Sequence, residues 1–202
     1  MNSKNVAWLK ISGVSGILAP IAALTCISLA IAYSPQFSWT ENALSDLGVQ
    51  EGVTAILFNS GLILSGFLGL VFAFGLFIVL QDKAMGRIGA SIFILDTLAL
   101  IAIGVFPENV KPTHYYVSVA FFLLFPISMF FVVAAFLQTS KVKIGLFTLL
   151  IAVVAAVVWI IQWTIQLGSN VAIPEAASAL SVSAWLIVLG FKMLRQASHS
   201  NN

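Results

Sequence analysis

The sequence predicts an all-α integral membrane bundle of six transmembrane helices with both termini in the cytoplasm. Three observations predict it. The 202 residues are 60% hydrophobic and 8% charged, whereas soluble domains carry about a quarter charged residues. Apolar runs of about 20 residues, enough to cross a bilayer, recur along the whole chain. Finally, Lys4, Lys10, Lys83, Arg87, Lys141, Lys143, Lys192 and Arg195 fall at the termini and in alternate gaps between those runs. Short cytoplasmic segments collect Lys and Arg, so these gaps face inward. Lys111 alone breaks the pattern, and Glu41, Asp46, Glu51, Glu108 and Glu175 occupy the opposite side.

The first expected span is Ile11–Tyr33, preceded by Lys4 and Lys10. Ala30-Ile31-Ala32 loosely resembles a signal-peptide cleavage site. The apolar run before it exceeds the roughly 7 to 15 residues of such a segment, so retention as a span is expected. A polar loop, 34–52, follows with Pro35, Trp39, Glu41, Asn42, Ser45, Asp46 and Gly48. Thr40 or Ser45 is placed to cap a short helix over Glu41–Leu47 that Gly48 ends. Loops of this length are often functional.

The second span, Val53–Leu80, is long for one crossing and is expected to tilt. Its Gly61, Ser65 and Gly69 recur at i, i+4 and i+8, a stripe that lets helix backbones approach closely. Gly86, Gly89 and Ala90 repeat the device in the third span, Gly86–Val105. The fourth, His114–Leu137, is dense in Phe, which reads as core and lipid-facing bulk. The fifth is Ile144–Leu167, on which Gln162 and Gln166 are expected to share a face. The sixth is Pro174–Leu194, opened by Pro174 and Glu175 as a helix N-terminus should be. The short connections after spans two and four force antiparallel hairpins. Tyr33, Tyr115, Tyr116 and Trp163 gather at the outer ends as an interfacial belt.

Among polar residues inside the membrane Asp96 is the sharpest. It lies ten residues before Phe106, about 15 Å along a helix and therefore near the midplane. A central Asp costs roughly 2.5–3.5 kcal/mol to insert, so it should face the bundle or a hydrated cavity. It reads either as a proton- or ion-coupling carboxylate or as an acid that bridges helices. Towards the outside Asn59, Gln162, Gln166 and Ser178 form a polar layer.

Chemistry, if any, turns on His114, the one histidine on the outer side. Ser45 and Asp46 join it as candidate catalytic residues in a Ser–His–acid or carboxylate–His arrangement. No nucleophile-elbow motif surrounds Ser45, and a three-histidine zinc site is impossible because His199 lies in the tail. The alternative role for His114 is to hydrogen-bond the loop carrying Ser45 and Asp46 and pin it over the bundle. The single cysteine, Cys26, excludes an internal disulfide. No cofactor or metal is implied, and the sparse basic residues flank spans, unlike a nucleic-acid surface.

These residues resemble the domain of unknown function 998 family of small prokaryotic polytopic membrane proteins. The likeness rests on Ser45-Asp46-Leu47-Gly48 and on Asn59 within Ile56-Leu57-Phe58-Asn59-Ser60-Gly61. Gly104-Val105-Phe106-Pro107 and His114 complete it. It implies a multi-pass membrane protein whose recurrent polar positions gather on the outer side. It brings no activity, cofactor or substrate, and leaves Asp96 unaddressed.

The expected protein is a six-helix unit of the cell membrane with an extracytoplasmic polar pocket. Asn59, Gln162, Gln166 and Ser178 would floor the pocket, Asp96 would join them as a candidate ligand-binding residue, and the Ser45–Asp46 loop and His114 would cover it. The leading role is binding or moving a small amphipathic or lipid-like ligand, with membrane lipids as partners. A lipid headgroup hydrolase or transferase using His114 and a purely structural or assembly subunit are the alternatives. Oligomeric state is not legible in the sequence.

Overall fold

The computed structural model describes residues 3–200. It is all-helical, with α1 Ser3–Ala32, α2 Val53–Leu80, α3 Ala84–Val105, α4 Thr113–Gln138, α5 Val142–Thr164 and α6 Ala172–His199. All six are long and apolar enough to cross a membrane. Helices α1 and α6 extend well beyond the apolar runs. A helix satisfies its own backbone in water as in lipid, so nothing forces it to stop where the hydrocarbon does.

Helix α5 departs from expectation at its other end. It stops at Thr164, and Gln166 takes a left-handed φ of 61° in the connection that follows. Gln162 and Gln166 therefore do not share a helical face. Gln162 turns back on this connection, accepting from Leu167 N–H at 3.1 Å and donating to the carbonyls of Gly168 and Asn170.

Each helix packs on its neighbours in the chain, and α1 also packs on α6, so the six close into a ring. Glycines make that closure. A Cβ on Gly13 would lie 2.8 Å from the Gly190 carbonyl oxygen, and one on Gly190 would lie 2.7 Å from that of Gly13. Only hydrogen at both positions permits the backbones to touch. The Gly61–Gly69 stripe serves two partners: Gly61 meets Cys26 of α1, and Gly69 meets Thr97 of α3.

Trp185 of α6 is fully buried at the heart of the larger apolar cluster. Its ring packs edge-on against Phe72 at 5.6 Å and Phe93 at 5.3 Å, with Phe125 at 6.3 Å. Such T-shaped contacts suit the ring quadrupoles. Its indole N–H donates to Thr148 Oγ1 at 3.1 Å, so the one polar atom of this core ring is satisfied. Phe121, Phe125 and Phe136 of α4 are likewise buried, while Phe130 is exposed.

The 34–52 loop holds a 3-10 helix over Leu44–Val49, not the Glu41–Leu47 helix the capping signals suggested. Neither Thr40 nor Ser45 caps it. Asp46 does so instead, accepting from the Ala43 N–H at 3.0 Å and from Asn42 Nδ2 at 2.8 Å. Apolar residues set the register: Leu44 and Leu47 are buried with Ile27, Phe58, Leu62 and Phe121 in a second apolar cluster. The loop is thus folded onto the bundle and ties together the helix ends beneath it.

Candidate functional site

The polar residues at this end of the bundle are brought together by backbone ties before any side chain matters. Thr40 and Asn42 carbonyls accept from Ser169 N–H at 2.7 Å and Ala172 N–H at 3.0 Å, fastening the 34–52 loop to the α5–α6 connection. The Leu44 N–H donates to Glu175 Oε2 in the first turn of α6. Glu175 therefore does more than favour its own helix terminus, the role that sequence reasoning assigned it. Asn59 donates to the Gly48 carbonyl at 2.9 Å, anchoring the 3-10 helix to α2. Its Oδ1 is buried without a protein partner.

His114 does not reach the 34–52 loop directly, contrary to the pinning role expected for it. Its Nδ1 lies 2.8 Å from the Phe106 carbonyl and its Nε2 3.3 Å from Ser118 Oγ. A carbonyl only accepts, so Nδ1 carries the proton and the Nε2 lone pair faces the Ser118 hydroxyl. The link to the 34–52 loop runs through Glu108, whose Oε2 accepts from Ser45 Oγ at 3.2 Å. Ser45, Asp46, Glu108 and His114 thus form one cluster, with Glu175 beside it.

This cluster is acidic and partly dry. Burial pushes the Glu108 carboxyl above its ordinary range, and the neighbouring Asp46 carboxyl pushes it further through a shared hydrogen bond and charge repulsion. The Ser45 hydroxyl, donating to Glu108, pulls the other way. A carboxyl beside a second carboxyl holds its proton more tightly, because like charges disfavour its ionised form. Among the described residues no group of three or more His, Cys, Asp and Glu is disposed to hold a metal ion.

Two hollows meet at the cluster. A groove of about 530 Å³ runs between α4 and α5, with Ser45, Glu108, Lys111, His114 and Glu175 at its head. Its lower walls are apolar, formed by Leu123, Pro126, Ala155, Ala156 and Ile160, with Trp159 and Trp163 alongside. A smaller cavity of about 90 Å³ lies inside the helix ring and reaches Asp96. Ser45, Ser118, Phe122 and Glu175 line both and form the partition.

The expected pocket floor is distributed differently. Asn59, Gln162, Gln166 and Ser178 line neither hollow. Asn59 and Gln162 spend their donors on backbone carbonyls, Ser178 accepts from Trp159 Nε1 at 3.0 Å, and Gln166 is exposed on its connection. Asp96 lines the inner cavity, His114 lines the groove, and Ser45 lines both. Ser118 escaped the sequence reading although it stands four residues after His114, the spacing that stacks two side chains on one helical face.

Six apolar spans with a polar cluster at one end define a multi-pass membrane protein. The chain belongs to the family described as "Protein of unknown function (DUF998)", whose model matches residues 17–192 and so includes every residue of the cluster. No curated protein and no solved structure matches it.

Proposed function

We propose that this protein binds, and by binding handles, a small amphipathic or lipid-like ligand in the groove between α4 and α5. The carrying observation is the division of that groove into a polar head and an apolar body. Its size falls in the roughly 300–1,000 Å³ range of small-molecule pockets, which are mostly apolar with a few convergent polar groups. Val119, Leu123, Ile160 and Trp163 along it are exposed on the surface that lipid would cover, which gives a ligand a lateral entrance. The carboxyl-rich head favours a headgroup bearing hydroxyl or ammonium donors.

The positive charge at the termini and at the α2–α3 and α4–α5 turns supports a cytoplasmic placement of that end. The groove head then opens on the extracytoplasmic side of the cell membrane. The helices act as one unit around it, with membrane lipids as partners.

Native mass spectrometry of protein extracted and washed in mild detergent tests the proposal. Wild type retains an added lipid with a donor-bearing headgroup, and Ala156→Trp, which fills the apolar body, loses it while keeping its melting temperature. Equal retention by both proteins, or retention by neither, overturns it.

One geometry favours a second reading, a lipid headgroup hydrolase or transferase. Ser118 Oγ faces His114 Nε2 in the groove, as a nucleophile faces its base. The group behind the imidazole is the Phe106 carbonyl, where serine hydrolases place a carboxylate to stabilise the imidazolium. Binding without covalent chemistry is therefore preferred. Loss of lipid turnover in both Ser118→Ala and His114→Ala, with lipid retention intact, would reverse that preference.

A further inference from the structure

We propose that Asp96 is a proton-exchanging carboxylate, reached from the loop-covered end of the bundle through water held in the cavity between it and Glu175. The inference stands apart from the lipid groove, because it concerns the separate hollow inside the helix ring.

Asp96 is 1% exposed, and its Oδ1 has no hydrogen-bond partner in the protein. An acid that served only to bridge helices would spend its oxygens on neighbouring donors. The nearest hydroxyl in sequence, Thr97, is already committed to the Ile94 carbonyl at 2.8 Å. The unpartnered carboxyl instead borders the inner cavity. At about 90 Å³ this cavity exceeds several times the roughly 10–15 Å³ that one water requires.

Apolar cavities stay dry, and a buried water needs two to four polar partners. Asp96 supplies them at the inner end, Ser65 and Ser183 from α2 and α6, and Ser45 and Glu175 at the upper end. Asp96 and Glu175 are the titratable side chains lining the cavity, and from α1, α2 and α4 the lining is uncharged. Asp46, Glu108 and His114 stand behind Glu175 in the polar cluster.

The transfer is a simple exchange of O–H bonds. The Glu175 carboxylic acid gives its proton to the adjoining water, each water passes one proton on, and the last gives one to the Asp96 carboxylate. Glu175 ends as the carboxylate and Asp96 as the acid. One O–H bond has broken and one has formed, and the waters are unchanged in composition. Return of a proton to Glu175 comes from Glu108 or from solvent beyond it.

The test is infrared difference spectroscopy on the full-length protein in liposomes, following carboxylic acid C=O stretching as H2O is replaced by D2O across a range of pH. A band missing from Asp96→Asn, or displaced in Asp96→Glu if the first variant fails to fold, belongs to Asp96. The expected result is a wild-type Asp96 band that shifts on deuteration while the protein stays folded, and that shifts severalfold more slowly in Ser183→Leu or Ser65→Leu. An Asp96 band that resists deuteration in wild type overturns the proposal. So does the absence of such a band at every pH, or an exchange rate unchanged by either leucine.

Discussion

Leu44 and Glu175 are joined across 131 residues of sequence: the Leu44 N–H at the start of the 3-10 helix donates to the Glu175 carboxyl at the start of α6. Leu44 is buried, so this N–H has no water to turn to. Leaving a buried donor unsatisfied costs about 1–3 kcal/mol. Glu175→Ala is expected to destabilise the protein by that amount in detergent and to expose residues 34–52 to proteolysis. Glu175→Gln keeps an acceptor and should retain most of the protection. Limited proteolysis combined with thermal unfolding measures both.

Gly48 and Asn59 make the second tie, and here the space is as restrictive as the bond. A Cβ on Gly48 would fall 2.6 Å from Asn59 Oδ1 and 3.1 Å from the Phe58 ring. Gly48→Ala must push Asn59 away from the carbonyl it serves, at an expected cost of about 1–3 kcal/mol. Hydrogen–deuterium exchange should rise over Leu44–Val49 and stay unchanged in the Trp185 core. Faster exchange in the core as well would mean that the loop and the bundle unfold together.

The acidic cluster predicts a pH dependence of stability with a definite sign. Glu108 is held above its ordinary value of 4.5 in the folded protein. Below pH 4.5 the carboxyl is protonated folded or unfolded, and the full stability is present. Above that value the unfolded chain releases its proton while the folded one keeps it, so stability falls as pH rises through the raised folded value. Glu108→Gln removes this contribution and should flatten the decline in melting temperature between acidic and neutral pH. An unchanged slope would transfer the effect to other groups.

The Trp159–Ser178 bond links α5 to α6 beside the lipid groove. Ser178 is buried, so Ser178→Ala leaves the indole N–H without this acceptor and should cost about 1–2 kcal/mol. Thermal unfolding reads that cost directly. Lipid retention is expected to survive, because Ser178 does not line the groove. Loss of retention at full stability would restore Ser178 to the ligand site.

The six helices were legible because membrane insertion demands long apolar runs, and a run over Val53–Leu80 admits few other readings. The site was legible in its parts and not in its pairing. Ser45, Asp46 and His114 were recognisable as polar residues at one end, but their meeting through Glu108 depends on how two loops fold over the bundle. No periodicity records that. Gln162 and Gln166 show the opposite failure: a four-residue spacing promised a shared face, and a left-handed Gln166 ended the helix between them. Asp96 was recognisable by depth alone, yet its cavity arises where side chains of several helices leave room, which no single helix encodes.

The backbone contact between Gly13 and Gly190 has a consequence for biogenesis. Helix α1 leaves the ribosome before α6, so it finds this closing neighbour only after α6 has been made. Until then α1 presents a glycine-lined flank with no mate, and the interior that holds Asp96 stands open along one seam. A chain interrupted before α6 should therefore be marked for destruction even with five sound helices, and a larger residue at Gly190 should make the complete chain meet the same fate.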